Sequence, residues 1–302
     1  MRWALCVALG LLPLVCGHPT SGTGQEELQD ADPLRLQSGS TSGRAHEVPA
    51  ETNPLPETTE VNPAMPVEEL NPSHYQASRA AKVAEHYLNY HYGSPFRRFI
   101  IRQVKRATLE EIPTGAARYH IEFSLEEMVS NTTIGNCAAE IVFERTEEQK
   151  TPQVQCTCDD LLKINTSEAE NSFFHQIKKS SALVSGQYIP DSYGFTAPEM
   201  TPLWHLGGVA ASFVMLKESN ESTLYNMAQI LSLQQQESEG ESLVFDYEVL
   251  LHEFISQEMI QWHMKVNWSP TEGVKVTQSN LQPKHHDHSP TTENPVINSS
   301  ST

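Results

Sequence analysis

The chain has few cysteines and no long apolar segment. Five cysteines occur in 302 residues, and two of them, Cys6 and Cys16, lie in the first 17 residues. The three that remain are fewer than the four ligands of a structural zinc site. In an oxidising compartment an odd number indicates one disulfide and one free thiol. No later stretch reaches the ~18 apolar residues of a membrane-spanning helix, so we expect no membrane span.

The N-terminus has the pattern of a secretory signal. Arg2 precedes the short apolar run Trp3–Val15, and small residues follow up to Gly17. We predict a signal peptide over residues 1–17 and a secreted protein. Four N-glycosylation sequons agree with secretion. They begin at Asn131, Asn165, Asn220 and Asn298.

Basic residues are scarce: 20 Lys and Arg stand against 38 Asp and Glu, a net charge of -18. This balance argues against nucleic-acid binding, which needs a basic face, and permits contact with cations or mineral surfaces. Residues 18–70 contain ten acidic residues, two arginines, seven prolines and no aromatic residue. Such a composition cannot bury enough apolar surface to offset the entropy of ordering. We predict disorder over residues 18–72 and, from a similar polar composition, over residues 283–302.

Between these ends the same pattern occurs twice, about 124 residues apart: one amphipathic helix, then four alternating strands. The run His120–Phe123 has its counterpart in Leu243–Tyr247. The first set of predicted strands covers 99–108, 119–125, 137–143 and 154–158, and the second covers 224–234, 243–251, 260–268 and 274–279. We predict an α+β fold of two units, 73–165 and 196–282, joined by a connecting segment 166–195 with a helix. The second helix is apolar over much of its surface, so the units should pack helix to helix.

The usual catalytic patterns are missing from the sequence. It has no H-E-x-x-H zinc site, nucleophile elbow, P-loop or dinucleotide-binding turn. The histidines of the C-terminal tail, His285, His286 and His288, lack the supporting residues that orient metal ligands. We therefore expect a protein that is not an enzyme, with no catalytic residues, no metal and no cofactor.

Several long motifs resemble those of the latexin family, in the same order. They are Tyr75–Tyr90 in the first helix, Ile189–Gly194, Pro198–Thr201, Leu250–Ile260 and Trp262–Trp268. The resemblance covers residues 73–282 and implies two cystatin-like subdomains, each a helix cradled by a curved four-stranded antiparallel sheet. The signal peptide and the acidic extension depart from cytoplasmic latexin. Among secreted members, the chain most resembles those of avian eggshell, and next the retinoid-responsive members.

The resemblance also implies a partner, a zinc carboxypeptidase of the A/B type docked where the two subdomains meet. In the family, the loop that matches residues 252–258 approaches the active-site funnel of the enzyme. His252 and Gln257 match the family pattern and are the implied inhibitory contacts. The cystatin pattern Q-x-V-x-G is absent, so inhibition of thiol proteases is not implied.

Two questions stay open at this level. Strand register admits a bridge from Cys137 to either Cys156 or Cys158, since the latter two share a face. The spacing in the retinoid-responsive members implies Cys137–Cys156, with Cys158 free.

The second question is function. The alternative to an inhibitor in the eggshell extracellular matrix is a structural, mineral-associated matrix protein that kept the fold without inhibition. The acidic composition and the sequons favour this alternative.

Overall fold

Each half of the chain forms a short strand, a helix and a four-strand meander, in that order. The computed structural model describes residues 66–113, 115–238 and 240–283, which all belong to one compact unit of the chain. The predicted signal peptide, most of the predicted acidic segment, Asn298 and the histidine-rich tail lie outside the described residues. Within the described part, no helix is long and apolar enough to cross a membrane.

The first unit is a five-stranded antiparallel sheet with one helix. Its elements are β1 (Val67–Leu70), α1 (Tyr75–Tyr92), β2 (Phe99–Glu111), β3 (Ala117–Glu127), β4 (Thr132–Phe143) and β5 (Gln153–Cys158). The strands lie in the order β1-β2-β3-β4-β5. The strand β3 shows why the sheet forms. Every odd-numbered residue from Ala117 to Glu127 is buried, and the even-numbered residues between them are exposed or half-buried, which is the alternation of a strand with one buried face. The buried face packs against the alanines of α1.

The second unit repeats this plan. The connecting helix α2 (Ser167–Lys179) leads to β6 (Ser185–Ile189), a 3-10 turn (Pro198–Met200) and α3 (Thr201–Glu218). The meander follows as β7 (Tyr225–Gln236), β8 (Leu243–Glu253), β9 (Glu258–Ser269) and β10 (Gly273–Leu281). Its sheet order, β10-β9-β8-β7-β6, mirrors the first sheet. The predicted α+β fold of two helix-and-sheet units is confirmed.

The prediction of four strands per sheet was wrong, because each sheet has a fifth strand at one edge. The strand β1 falls inside the segment predicted to be disordered, and only Leu70 of its four residues is buried. The strand β6 falls inside the predicted connecting segment, and only Ile189 is buried. Both are held by backbone pairing with β2 and β7. Edge strands of this kind bury too few side chains to show the alternation that reveals a strand.

The two main helices begin without a side-chain cap, although the spacings Ser73–Gln76 and Thr196–Glu199 are typical of a capping box. The helix α1 begins after His74 and α3 after Met200, and neither residue caps its helix with its side chain. The 3-10 turn that precedes α3 supplies the first turn of the second helix, so no capping side chain is needed there.

The two units meet along the helix pair, as predicted. Tyr90 of α1 packs against Phe213 of α3 with ring centroids 5.1 Å apart. Small residues allow this close approach: a Cβ on Gly93 would lie 2.7 Å from Val209, and one on Gly208 would lie 2.8 Å from the guanidinium carbon of Arg98. We use the name seam for the surface where the two units meet. It is formed by α1 and β2 of the first unit and by α3 and the turn after α3 of the second unit. The close helix contact fixes how the loops around the seam are placed.

The disulfide joins Cys137 to Cys158, so the implied Cys137–Cys156 pair was wrong. The register explains this result: Cys158 lies directly opposite Cys137 on the neighbouring strand, whereas Cys156 lies opposite Ala139. Among the three cysteines of the described region, Cys156 is the free one. Burial raises the pKa of its thiol to about 11, so it stays protonated and unreactive near neutral pH.

Candidate functional site

The residues between β8 and β9 form an exposed turn, Phe254–Gln257, which we call the contact loop. His252 lies half-buried near the end of β8, and its ring packs on Phe254 with centroids 4.2 Å apart. Gln257 is the last loop residue and has a left-handed backbone with φ 60°. Its side-chain amide donates a hydrogen bond to the Phe254 carbonyl. The structure therefore places the two predicted contact residues close together, His252 just before the contact loop and Gln257 at its end.

A buried carboxylate, Glu253, fixes the shape of the contact loop. Its Oε1 accepts hydrogen bonds from the backbone N–H groups of Leu224 and Ile255 at 2.9 and 3.1 Å, and its Oε2 accepts one from Ser256 at 2.6 Å. Burial alone would raise the pKa of Glu253, but the bonds from Ser256, Leu224 and Ile255 outweigh it and lower the pKa to about 2. The loop thus has a charged anchor at neutral pH.

The same anchor ties the contact loop to the seam. The Phe254 N–H donates to the Leu224 carbonyl at 2.9 Å, so Leu224 and the loop are bonded in both directions. Leu224 also lines a groove of about 590 Å³ between the units. The opposite wall comes from α1 and β2 and carries Lys82 and Arg102. The contact loop therefore stands at the edge of the seam, beside residues of the first unit.

The contacts across the seam beside this groove are polar. Glu221, in the turn after α3, accepts a hydrogen bond from the Tyr119 hydroxyl at 2.8 Å. The same carboxylate pairs with Arg145 Nε at 2.6 Å, and the Glu221 backbone carbonyl accepts from Arg79 at 3.0 Å. Arg145 and the Tyr119 hydroxyl lower the pKa of Glu221, although burial alone would raise it. These bonds hold the two units in one orientation beneath the contact loop.

The first unit contains a loop of the same design, Met128–Asn131, which we call the matching loop. Glu127 precedes it, is fully buried, and accepts hydrogen bonds from the backbone N–H groups of Arg98, Val129 and Ser130 at 2.8 to 3.0 Å. Asn131 has φ 51°, as Gln257 has φ 60°. The sequence prediction missed both anchors. The sequence does contain a pattern that the two anchors share. In each unit, a Glu at the end of the third strand is followed three residues later by a Ser.

The described sequons occupy three different settings. Asn131 is exposed at the end of the matching loop. Asn165 precedes α2, and its side-chain oxygen accepts a hydrogen bond from the Ser167 N–H at 3.0 Å. Asn220 lies beside the seam, where its Nδ2 donates to Gln149 of the first unit at 3.2 Å. A glycan on Asn220 would replace this bond. Glycosylation at these positions stays a prediction.

In the described part of the chain, no three or more His, Cys, Asp or Glu residues are grouped so that they could hold a metal ion. Two histidines lie near single carboxylates on different strands: His120 is 3.6 Å from Glu140, and His263 is 3.6 Å from Asp246. The arrangement that remains is a rigid, exposed loop on a duplicated scaffold.

The fold and this loop define a class of protein: two helix-and-sheet units, packed through their helices, that present a preformed loop at their seam. The family model described as Latexin matches residues 70–286. Latexin of Homo sapiens is 37% identical over 216 residues, which cover 72% of this chain and 97% of that protein. The chain belongs to the latexin family.

Two further relatives resemble this chain. Ovocalyxin-32 of Gallus gallus is 31% identical over 218 residues, covering 72% of this chain and 78% of that protein. Retinoic acid receptor responder protein 1 of Homo sapiens is 27% identical over 209 residues, covering 66% of this chain and 69% of that protein. The residues that the family model matches, 70–286, span the two units and their connection.

Proposed function

We propose that the protein is secreted and inhibits zinc carboxypeptidases of the A/B type, with no catalytic activity of its own. The observation that carries this proposal is the contact loop. It is exposed, anchored by Glu253 and joined to the seam through Leu224, on a scaffold of the latexin family. In this proposal His252 and Gln257 contact the enzyme at the rim of its active-site funnel.

The mechanism is occlusion of the funnel by a preformed loop. Phe254 and Ile255 are 41% and 49% exposed and offer apolar contacts to the rim. Because Glu253 already holds the backbone of Ile255 and Ser256, binding orders few further residues. A rigid loop therefore loses little conformational entropy on association, which favours tight binding.

The test is a titration of a pancreatic-type carboxypeptidase with the purified protein, measured by hydrolysis of a C-terminal peptide substrate. The wild-type protein should inhibit. The double variant His252→Ala/Gln257→Ala should inhibit at least about 10-fold less well, a loss of about 1.4 kcal/mol of binding free energy. Its thermal stability should stay close to that of the wild type, because Gln257 is exposed and His252 is only half-buried, so neither belongs to the core.

A matched control is Tyr193→Ala, which truncates a side chain that is 94% exposed in the segment before α3. This variant should inhibit like the wild type. A protein treated to remove N-glycans tests whether a glycan at Asn220 shields the seam. If neither the native nor the deglycosylated protein inhibits at micromolar concentration, the inhibitor proposal is refuted.

A second function is favoured by a separate observation, the excess of acidic residues that gives a net charge of -18. We propose that the protein is also a component of the eggshell extracellular matrix, in contact with mineral or with other matrix components. The 31% identity to Ovocalyxin-32 supports this proposal. An acidic surface attracts calcium ions and positively charged mineral faces, and salt weakens that attraction. Adsorption to calcium carbonate crystals that falls as ionic strength rises is the expected result, and salt-independent or absent adsorption would contradict it.

A further inference from the structure

Large apolar side chains are exposed together at the end of the second sheet where the contact loop lies. Phe254 and Ile255 belong to the loop, Met259 follows on β9 with 44% exposure, and Leu281 ends β10 with 58% exposure. Single exposed apolar residues are ordinary, but a contiguous group on a folded surface marks a site of interaction. This group therefore needs an explanation that the two contact residues His252 and Gln257 do not give.

The unequal lengths of β9 and β10 form a groove within this apolar group. The last pairing between the two strands is Leu281 with Trp262, followed by a hydrogen bond from the Gln282 N–H to the Gln261 carbonyl at 2.9 Å. The segment 258–260 of β9 extends beyond it. The groove beside that segment has a volume of about 640 Å³. Its apolar walls are Leu250, Met259, Ile260, Leu281 and Pro283.

We infer that this groove is a second contact site for the carboxypeptidase, and that it receives an apolar side chain from the rim beside the funnel. The inference rests on the proposed function and adds a determinant of specificity to it. Glu258 and Met259 line the groove and directly follow Gln257, the last residue of the contact loop. An enzyme seated on the loop would therefore cover the groove as well.

The size of a stable interface supports this assignment. A specific protein–protein complex buries roughly 800 Å² on each partner, usually with apolar side chains in fitted pockets at its centre. The four residues of the contact loop are too few to supply that area. The groove begins directly after the contact loop, at Glu258 and Met259, and offers a concave site that can receive a large side chain.

The chain's own C-terminus is a weaker candidate for the groove, although residues 284–302 continue from Pro283. Their sequence is polar and contains only two large apolar residues, Val296 and Ile297. The full-length variant Val296→Asp/Ile297→Asp tests this alternative directly. We expect its inhibition to equal that of the wild type. A clear gain in inhibition would mean that the tail occupies the groove, and would overturn the assignment to the enzyme.

The main test is the full-length variant Met259→Asp/Leu281→Asp in the same inhibition assay. Both side chains are exposed, so the fold should persist, and the melting temperature checks this. We expect the inhibition constant to rise at least about 30-fold, because each charge would lose its water in the complex. The matched control is Met128→Asp, in the matching loop and 41% exposed, which should change inhibition by less than about threefold.

The outcomes separate this inference from the proposed function. If the wild type inhibits and the groove variant inhibits equally well, the groove assignment is overturned and the contact loop stands. If the groove variant and Met128→Asp are weakened alike, the effect is a general one of charge, and the assignment also fails. If the wild type does not inhibit, the proposed function fails and the groove assignment fails with it.

Discussion

The anchoring carboxylate of the contact loop gives the sharpest quantitative prediction. Glu253 has a pKa of about 2 in the folded protein and is 5% exposed. An unperturbed Glu titrates near 4.3, so the difference of about 2.3 pH units corresponds to roughly 3 kcal/mol of stability. Because the pKa is depressed on folding, this stability is fully present above pH ~4.3 and is lost as the pH falls towards 2.

The variant Glu253→Gln keeps the size of the side chain and removes its charge. One carbonyl oxygen must then replace two carboxylate oxygens that accept from Leu224, Ile255 and Ser256. Urea unfolding at pH 7 should show a loss of about 3 kcal/mol in the free energy of unfolding. The difference between variant and wild type should shrink as the pH is lowered from 4 towards 2. Equal stability at pH 7, or a difference that does not depend on pH, would refute the reasoning.

The matching loop provides an internal control for the role of this anchor. Glu127→Gln removes an equally buried carboxylate, whose pKa is also lowered by hydrogen bonds from Ser130, Val129 and Arg98 although burial alone would raise it. Both variants should be destabilised, because each leaves buried N–H groups with a weaker acceptor. Only Glu253→Gln should also weaken carboxypeptidase inhibition. If Glu127→Gln weakens inhibition as strongly, the effect comes from stability and not from loop shape.

Two further predictions concern the scaffold. Cys158→Ser should lower the free energy of unfolding by roughly 3 kcal/mol, because it removes a cross-link between residues 21 apart in the sequence. Cys156→Ser should leave the bridge intact in a non-reduced peptide map. A map of the native protein that shows Cys156 in the bridge would contradict this. Gly208→Ala should lower stability by about 1–3 kcal/mol, because its Cβ would lie 2.8 Å from the Arg98 guanidinium at the helix contact. The control Gly240→Ala, with its nearest neighbour at 3.6 Å, should have little effect in the same thermal unfolding measurement.

Strong periodicity made most of the fold predictable from the sequence. The central strands β3, β4, β8 and β9 alternate between buried and more exposed residues over most of their length, so Leu243, Phe245 and Tyr247 could be assigned to one buried face without a structure. The apolar surface of α3 predicted a second packing partner, and α1 is that partner. The strands β1 and β6 could not be predicted because their stability comes from backbone hydrogen bonds, which leave no pattern in their side chains.

The construction of the candidate site could not be predicted from the sequence. Family resemblance pointed to His252 and Gln257, which lie just before the contact loop and at its end, and their role as contacts stays a prediction. The role of Glu253 depends on three backbone N–H groups that converge on it, one of them from Leu224, 29 residues earlier in the chain. A sequence shows the carboxylate but not this convergence. The disulfide likewise depended on register: Cys158 and not Cys156 lies opposite Cys137, a difference of two residues on one strand.

The central claim is that the contact loop is the surface that meets the carboxypeptidase. Hydrogen exchange of the full-length protein, alone and with an excess of a pancreatic-type A/B carboxypeptidase, tests it most directly. We predict that the enzyme slows exchange over Phe254–Gln257 and over the adjoining start of β9, and leaves the matching loop Met128–Asn131 unchanged. Protection confined to the matching loop or to surfaces away from the seam, or no protection at saturating enzyme, would contradict the claim.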